Sequence, residues 1–160
     1  MTETTIDSFL VIGIEARTTN AREMSGQGAI GPLWGRLMKD ALLQHIPNRV
    51  DDRIIAVYSG YENGKDGEYS YLLGAKVQAA THVPDGMASH QVGAGAYAMF
   101  TAKGEPVVEG EPVVEMVIGI WKEIWSLETR GTLKRAYQTD FEVYSPDTLI
   151  EVYIGLLARD

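Results

Sequence analysis

Hydrophobic and polar residues alternate with a period of two along residues 141–154, near the end of the chain. This alternation predicts two β-strands, and Ser145, Pro146 and Asp147 between them are residues that favour a tight turn. We therefore predict a β-hairpin, whose two faces follow from the way side chains alternate along a strand. The expected core face contains Phe141, Val143, Ile150, Val152 and Ile154. The opposite face is expected to carry Glu142, Tyr144, Glu151 and Tyr153.

The same alternation predicts earlier strands at residues 9–16, 53–61, 68–77, 87–92 and 96–102. Turn-forming residues at 62–67 join two of these strands into a hairpin. A further hairpin is expected around residues 93–95, so that the last two of these strands would pair with each other. Residues 1–8 are expected to form a frayed polar start, and residues 17–31 a loop.

Apolar residues at helical spacing predict two helices. The first is expected to begin near Pro32, which suits a first helical turn, and to end before Pro47. Its apolar positions are Ile30, Leu33, Trp34, Leu37, Ala41 and Leu42. The segment EPVVE occurs twice, at 105–109 and 111–115, and we predict that its second copy begins the second helix. The apolar positions of this helix are Val117, Ile120, Trp121, Ile124 and Trp125.

Read in order, these elements repeat the series strand, helix, strand, strand. Local matches support the repeat: Leu33-Trp34 precedes Ile120-Trp121 by 87 positions, and Tyr58 precedes Tyr144 by 86. Tyr71 and Tyr153 fall in the two final strands, 82 positions apart. The sequence thus predicts an α+β fold in one domain over residues 1–160, built from pseudo-twofold β-α-β-β repeats at about 8–79 and 87–158. We expect an antiparallel sheet that forms a cup, with two main helices.

The repeat predicts a candidate site along the pseudo-twofold axis. If equivalent positions share a face, Tyr58 and Tyr71 lie on the same side as Tyr144 and Tyr153, beside the carboxylates of Glu142 and Glu151. Aromatic faces attract cations, so rings beside an acid suit a cationic, apolar ligand. The alternative interpretation is a solvated sheet face with ordinary strand-forming residues.

The amino-acid composition restricts the classes of function that the chain can have. The chain is 45% hydrophobic and 22% charged, as globular proteins are. Its net charge of −8 argues against direct nucleic acid binding, which needs a basic surface. No apolar stretch approaches the ~20 residues of a membrane span, and no signal peptide is visible, so we expect a cytoplasmic protein. The absence of cysteine excludes thiolate chemistry. No metal or nucleotide motif stands out, and we expect no cofactor.

Several short motifs carry a resemblance to a known family. They are NAREM at 20–24, LW at 33–34, IPNR at 46–49, GAYAMFTAKG at 95–104, IWKEIW at 120–125, DFEVY at 140–144 and EVYI at 151–154. Together they resemble the GyrI-like effector-binding family, and within it the stand-alone integron-cassette effector-binding proteins. The resemblance extends from about residue 9 to residue 156.

This resemblance implies a cup that binds lipophilic, often cationic compounds between aromatic walls, with a buried glutamate as counter-charge. The implied glutamate is Glu142, with Glu151 second. The implied walls are Tyr58, Tyr144, Tyr153, Trp34 and Trp121. In fused relatives such a ligand regulates an AraC- or MerR-type DNA-binding domain, for which the 160 residues leave no room. The expected role is therefore effector binding linked to transcription regulation or drug sensing.

Two other functions stay open. In the first, the chain is a small hydrolase in which Glu142 acts as general base, with Tyr144 or Tyr153 as its partner. In the second, the chain resembles family members that antagonise a topoisomerase, and its acidic surface binds a basic protein partner. The sequence leaves the natural ligand and the oligomeric state open, a homodimer included.

Overall fold

A computed structural model describes residues 1–103 and 111–158 of the chain. In these residues the strands are β1 Thr2–Ile6, β2 Phe9–Thr18, β3 Ile54–Ser59, β4 Tyr69–Val77, β5 Ala88–Val92, β6 Gly95–Lys103, β7 Arg135–Tyr144 and β8 Leu149–Leu156. The helices are α1 Asn20–Met24, α2 Ile30–Lys39 and α3 Glu111–Thr129, with a 3₁₀ turn at Leu42–His45. The strands form one antiparallel sheet in the order β1-β6-β8-β7-β3-β4-β2-β5. The predicted α+β class is confirmed.

The strand order shows the predicted repeat. β3 and β7 pair at the centre of the sheet. Outward from them lie β4 and β2 on one side and β8 and β6 on the other, so β2-α2-β3-β4 and β6-α3-β7-β8 occupy equivalent places. The offset agrees with the sequence, because β2 begins at Phe9 and β6 begins at Gly95, 86 positions later.

The two edge strands differ from the prediction. Residues 1–8 were expected to fray, yet β1 pairs with β6 from Thr2–Met99 to Ile6–Gly95. The hairpin expected around residues 93–95 is also wrong, because β5 pairs with β2, and β6 lies between β1 and β8. Each half therefore sends its leading strand to the edge of the other half. β1 and β5 are stabilised by backbone hydrogen bonds to strands that are distant in the sequence. The period of the hydrophobic residues within a strand does not indicate which distant strand it pairs with.

Both main helices cover the same face of the sheet. Leu33 and Leu37 of α2 pack against β2, β3 and β4. Ile120 and Ile124 of α3 pack against β6 and β8. The second EPVVE copy begins α3 as predicted, whereas the first copy, at 105–109, lies outside the described residues. The short helix α1 lies within the segment that was predicted to be a loop.

The outer strands of the sheet cover its other face, opposite the helices. Val57 at the centre is fully buried there, together with Val92 of β5 and Tyr97 of β6, near the two ends of the sheet. The stacked rings of Phe141 and Tyr153 belong to the same layer, with centroids 4.5 Å apart. The outer strands therefore curl toward each other over the helix-free face, and this curvature gives the sheet its cup shape.

The register of the β7–β8 hairpin corrects the predicted faces. Glu142 pairs with Val152, and Val143 pairs with Glu151. The cause is the turn: the Ser145 amide bonds to the Leu149 carbonyl (3.0 Å), so three residues lie between this pair, and the last of them has a positive φ of 67°. A shift of one residue moves every side chain of a strand to the other face. Glu142 and Tyr144 therefore face the helices, whereas Glu151 and Tyr153 lie on the opposite, helix-free face.

The carboxylate of Glu23 fixes the start of α2. It accepts hydrogen bonds from the amides of Ala29 (2.8 Å) and Ile30 (3.3 Å) and from the Thr18 hydroxyl. A Cβ at Gly28 would lie 2.1 Å from a carboxylate oxygen of Glu23, so glycine leaves room for this contact. A negative group at a helix N-terminus satisfies unpaired amides and interacts favourably with the helix dipole.

We expect Glu23→Ala to lower the free energy of unfolding by about 1–2 kcal/mol, because three donors lose their acceptor. Urea unfolding followed by far-UV circular dichroism measures this loss. Glu23→Gln keeps one oxygen acceptor and should lose less. Equal stability of Glu23→Ala and the wild type would show that this carboxylate does not hold α2.

Candidate functional site

The candidate site is built on Glu142, which lies near the end of the central strand β7. Its neighbour across the strand pair is Ala56 of β3, which is fully buried beneath the helices. The Glu142 side chain lies between the sheet and the helices, and the residue is only 1% exposed. A glutamate is seldom buried to this extent unless it has a partner.

Three neutral groups donate hydrogen bonds to this carboxylate. Trp121 of α3 donates its indole N–H to Oε2 at 2.7 Å, and the Tyr58 hydroxyl donates to the same oxygen at 3.0 Å. The Tyr144 hydroxyl donates to Oε1 at 2.8 Å. One helix and two strands therefore aim their donors at a single acid.

In the part of the chain that the structure describes, the charge of Glu142 is not matched by a cation. Among the described residues, no lysine, arginine or histidine forms an ion pair with it. Burial raises the pKa of Glu142 above its ordinary value, although the hydrogen bonds from Trp121, Tyr144 and Tyr58 oppose this shift. A desolvated carboxylate is costly without a positive partner, so the site is electrostatically incomplete.

Aromatic rings surround the acid. The Tyr58 ring lies 5.1 Å from Tyr71 and 5.2 Å from Trp121, measured between centroids. Trp34 of α2 meets Tyr144 edge to face at 4.8 Å and donates its indole N–H to the Tyr71 hydroxyl at 2.9 Å. Trp34, Trp121 and Tyr144 are only half-buried, so the cluster reaches the surface between the two helices.

Six of the eight predicted site residues come together in this cluster: Glu142, Tyr144, Tyr58, Tyr71, Trp34 and Trp121. Glu151 and Tyr153 do not join them, because the hairpin register places both on the helix-free face. There the Tyr153 hydroxyl donates to Glu151 at 3.0 Å, and burial raises the pKa of Tyr153 to about 12. The hydrolase alternative therefore retains Tyr144 as a phenol partner of Glu142 and loses Tyr153.

A second buried acid, which the sequence analysis missed, lies two residues before Glu142. Asp140 is fully buried and forms an ion pair with the guanidinium of Arg135 at 2.8 Å. It also accepts hydrogen bonds from the Tyr61 hydroxyl (2.6 Å) and the Gly155 amide (2.8 Å). The period of two along the strand already places Asp140 and Glu142 on one face, and this signal was available in the sequence.

An irregularity in β7 brings the arginine to this acid. The register of β7 against β8 shifts between Arg135 and Asp140, and Tyr137 within the shift has a positive φ of 54°. The Tyr137 hydroxyl donates to Glu128 near the end of α3. A β-bulge re-aims side chains in this way, and here it directs a basic side chain into the layer between sheet and helices.

The fold and this acid-centred aromatic site define the class of protein. Residues 4–156 match the family model described as Cass2, integron-associated effector binding protein. The chain belongs to this family, and the predicted resemblance is confirmed. No helix in the described part of the chain has the length and apolar character needed to cross a membrane.

Relatives agree with this assignment. The chain is 31% identical over 148 residues to the putative transcriptional regulator protein YobU of Bacillus subtilis, covering 92% of this chain and 88% of YobU. An integron cassette protein from the mobile metagenome of Vibrio cholerae has a similar structure, with a TM-score of 0.79, 28% identity and coverage of 98% and 95%. A structure of SAV2435 bound to tetraphenylphosphonium shares the fold, with a TM-score of 0.73, 17% identity and coverage of 98% and 93%.

Proposed function

We propose that this chain binds a lipophilic organic cation, with the Glu142 carboxylate as its counter-charge. The observation that carries the proposal is a fully buried carboxylate that receives only neutral hydrogen bonds in the described structure and is enclosed by indole and phenol rings. A bound cation offsets the desolvation of the acid and gains cation–π attraction from the rings, which is worth about 2 kcal/mol or more in a desolvated site.

The free site is closed by its own side chains, and this gives the proposed route of entry. The edge-to-face contact of Trp34 with Tyr144 joins α2 to β7 over the cluster. Both rings are half-buried, so they can turn outward more readily than the buried Tyr58. In the proposed binding event, this contact opens and the cation takes a place between the two helices.

Two relatives support the proposal. SAV2435, which has the same fold, has a structure bound to tetraphenylphosphonium, and YobU is described as a putative transcriptional regulator. We propose that this chain likewise senses or sequesters its ligand and passes the bound state to a protein that controls transcription. A ligand that opens the contact between Trp34 and Tyr144 would change the helical surface that such a partner can recognise.

Titration with tetraphenylphosphonium at a series of pH values tests the proposal. Trp34, Trp121 and Trp125 are the three tryptophans of the chain, so intrinsic fluorescence reports directly on this region. We expect quenching on binding and an affinity that falls as the pH is lowered, because a proton on Glu142 removes the counter-charge. The fall should begin above the pH expected for an ordinary glutamate, since burial raises the pKa of Glu142 in the free protein.

Triphenylphosphine oxide, a neutral compound with similar rings, is the matched control ligand. It should bind much more weakly than the phosphonium cation, and its binding should not change over the same pH range. Equal affinity for the two compounds, or cation binding that is unaffected by acid, would refute a carboxylate-based site.

A further inference from the structure

Two acids of β7 project from the same face of the sheet. Asp140 and Glu142 are two residues apart, which places their Cα atoms about 7 Å from each other. Each accepts a phenol hydrogen bond from the neighbouring half of the molecule, Asp140 from Tyr61 at 2.6 Å and Glu142 from Tyr58 at 3.0 Å. Each is also buried, with exposed fractions of 0% and 1%. The two acids thus have closely similar surroundings.

They differ in charge compensation. Arg135 donates from Nη2 to Asp140 at 2.8 Å, and the arginine side chain is only 2% exposed. Glu142 has no such partner among the described residues. Glu128 lies at the outer side of the guanidinium, 3.8 Å from Nη1, and is partly exposed. Within the described residues, the protein therefore supplies a cation to Asp140 and none to Glu142.

The surroundings of Arg135 are those that an organic cation would need. Its guanidinium carbon lies 4.2 Å from the ring centroid of Tyr137, 5.5 Å from that of Trp121 and 5.9 Å from that of Tyr61. These distances are within the range of cation–π attraction. An acid with a cation held among aromatic rings is the same arrangement that we propose for Glu142 with its ligand.

Trp121 forms a wall common to both positions. The edge of its indole donates to Glu142 at 2.7 Å, while Arg135 lies 5.5 Å from the ring centroid. A ligand at Glu142 is therefore separated from the guanidinium by about one aromatic ring. A second positive charge on the ligand would have to approach Arg135, and like charges in a desolvated site repel strongly.

We propose that Arg135 is a specificity-determining residue: it fills the second acid position of the site, so that the site accepts ligands with a single positive charge and rejects those with two. The inference rests on the proposed function, because it concerns which cations the Glu142 site selects. In this view the guanidinium of Arg135 lies beside Asp140 in the place that the second positive charge of a dication would otherwise take. Removing the guanidinium leaves a space lined by Tyr61, Tyr137, Trp121 and Asp140.

The test uses two benzyl ammonium probes that have the same shape and differ in charge number. The monocation is (3-neopentylbenzyl)trimethylammonium, in which a carbon replaces the second nitrogen, and the dication is 1,3-bis(trimethylammoniomethyl)benzene. For the wild type we expect the dication to bind no more tightly than the monocation. For Arg135→Ala we expect the dication to gain at least tenfold over the monocation, because Asp140 then becomes available to its second ammonium group. Arg135→Lys keeps the positive charge and should retain the preference of the wild type.

Each outcome is decisive. Tighter binding of the dication to the wild type, or no gain in Arg135→Ala, overturns the inference. If Arg135→Ala is unfolded by itself, the dication and not the monocation should restore native tryptophan fluorescence, and failure to do so also overturns it. Lack of binding of either probe and of tetraphenylphosphonium to the wild type would instead refute the proposed function. Monocation binding that depends on Glu142, together with a preference for the dication, refutes only the role of Arg135.

Discussion

Replacing Glu142 with glutamine is expected to weaken the binding of tetraphenylphosphonium by about tenfold or more, that is by about 1.4 kcal/mol or more. Glutamine has nearly the same shape and still offers an oxygen to Trp121 and Tyr58, which both bond to Oε2 in the wild type. The substitution therefore removes the counter-charge while the aromatic walls stay in place. Fluorescence titration or isothermal calorimetry measures the change.

The same substitution should make the free protein more stable at neutral pH. The pKa of Glu142 is raised in the folded state relative to the unfolded chain, so the native protein binds a proton more readily between these two pKa values. Stability therefore falls as the pH rises through this window. Glutamine stays neutral, so the free energy of unfolding of Glu142→Gln does not fall in this way. A residue kept only for structure would give the opposite sign, so urea unfolding of the ligand-free variant separates the two roles.

Glu151→Gln is the matched control for this experiment. It removes a glutamate from the strand paired with β7, but on the helix-free face, where the carboxylate accepts from Tyr153. We expect its affinity for the phosphonium cation to equal that of the wild type within about twofold, since screening by solvent weakens a partly exposed charge on the other side of the sheet. A comparable loss in both variants would indicate a general effect of net charge rather than a site at Glu142.

The sequence predicted the centre of the site because the relevant signals are local or repeated. Period-two alternation placed Glu142 and Tyr144 on one face, and the repeat carried this assignment to Tyr58. Helical spacing brought Trp34 and Trp121 to the inner sides of their helices. These inferences need only the geometry of single elements and their equivalence in the two halves.

The wrong or missing predictions concern features that depend on how strands pair with one another. Glu151 was placed on the wrong face because the number of residues in the 146–148 turn, which sets the register, cannot be read from alternation. β1 was missed because its partner residues in β6 lie 89 to 97 positions farther along the chain, from Ile6–Gly95 to Thr2–Met99. The ion pair of Arg135 with Asp140 was missed because a bulge at Tyr137 re-aims the arginine, and because the DFEVY motif at 140–144 drew attention to Glu142 and not to Asp140.

The Arg135–Asp140 pair should also have a large effect on stability. We expect Asp140→Asn to lower the free energy of unfolding by about 3–5 kcal/mol, because it leaves a buried guanidinium without its closest counter-charge. Asparagine is nearly isosteric: its oxygen can still accept from the Gly155 amide, which bonds to Oδ1, and its new N–H can donate to the Tyr61 hydroxyl, which bonds to Oδ2 in the wild type, so the loss comes mainly from charge. Urea unfolding followed by circular dichroism at neutral pH measures it.

The double variant Arg135→Met/Asp140→Asn is the control, because it removes both charges and fills the space of the arginine stem. Replacing a buried ion pair by neutral groups of similar volume is often close to neutral for stability, so the double variant should recover most of what Asp140→Asn loses. Recovery would show that the pair is retained at little net gain in stability, as expected of a residue kept to exclude a second ligand charge. A loss below about 1 kcal/mol in Asp140→Asn would mean that Glu128 or solvent compensates Arg135, and that the guanidinium is not held by Asp140 alone.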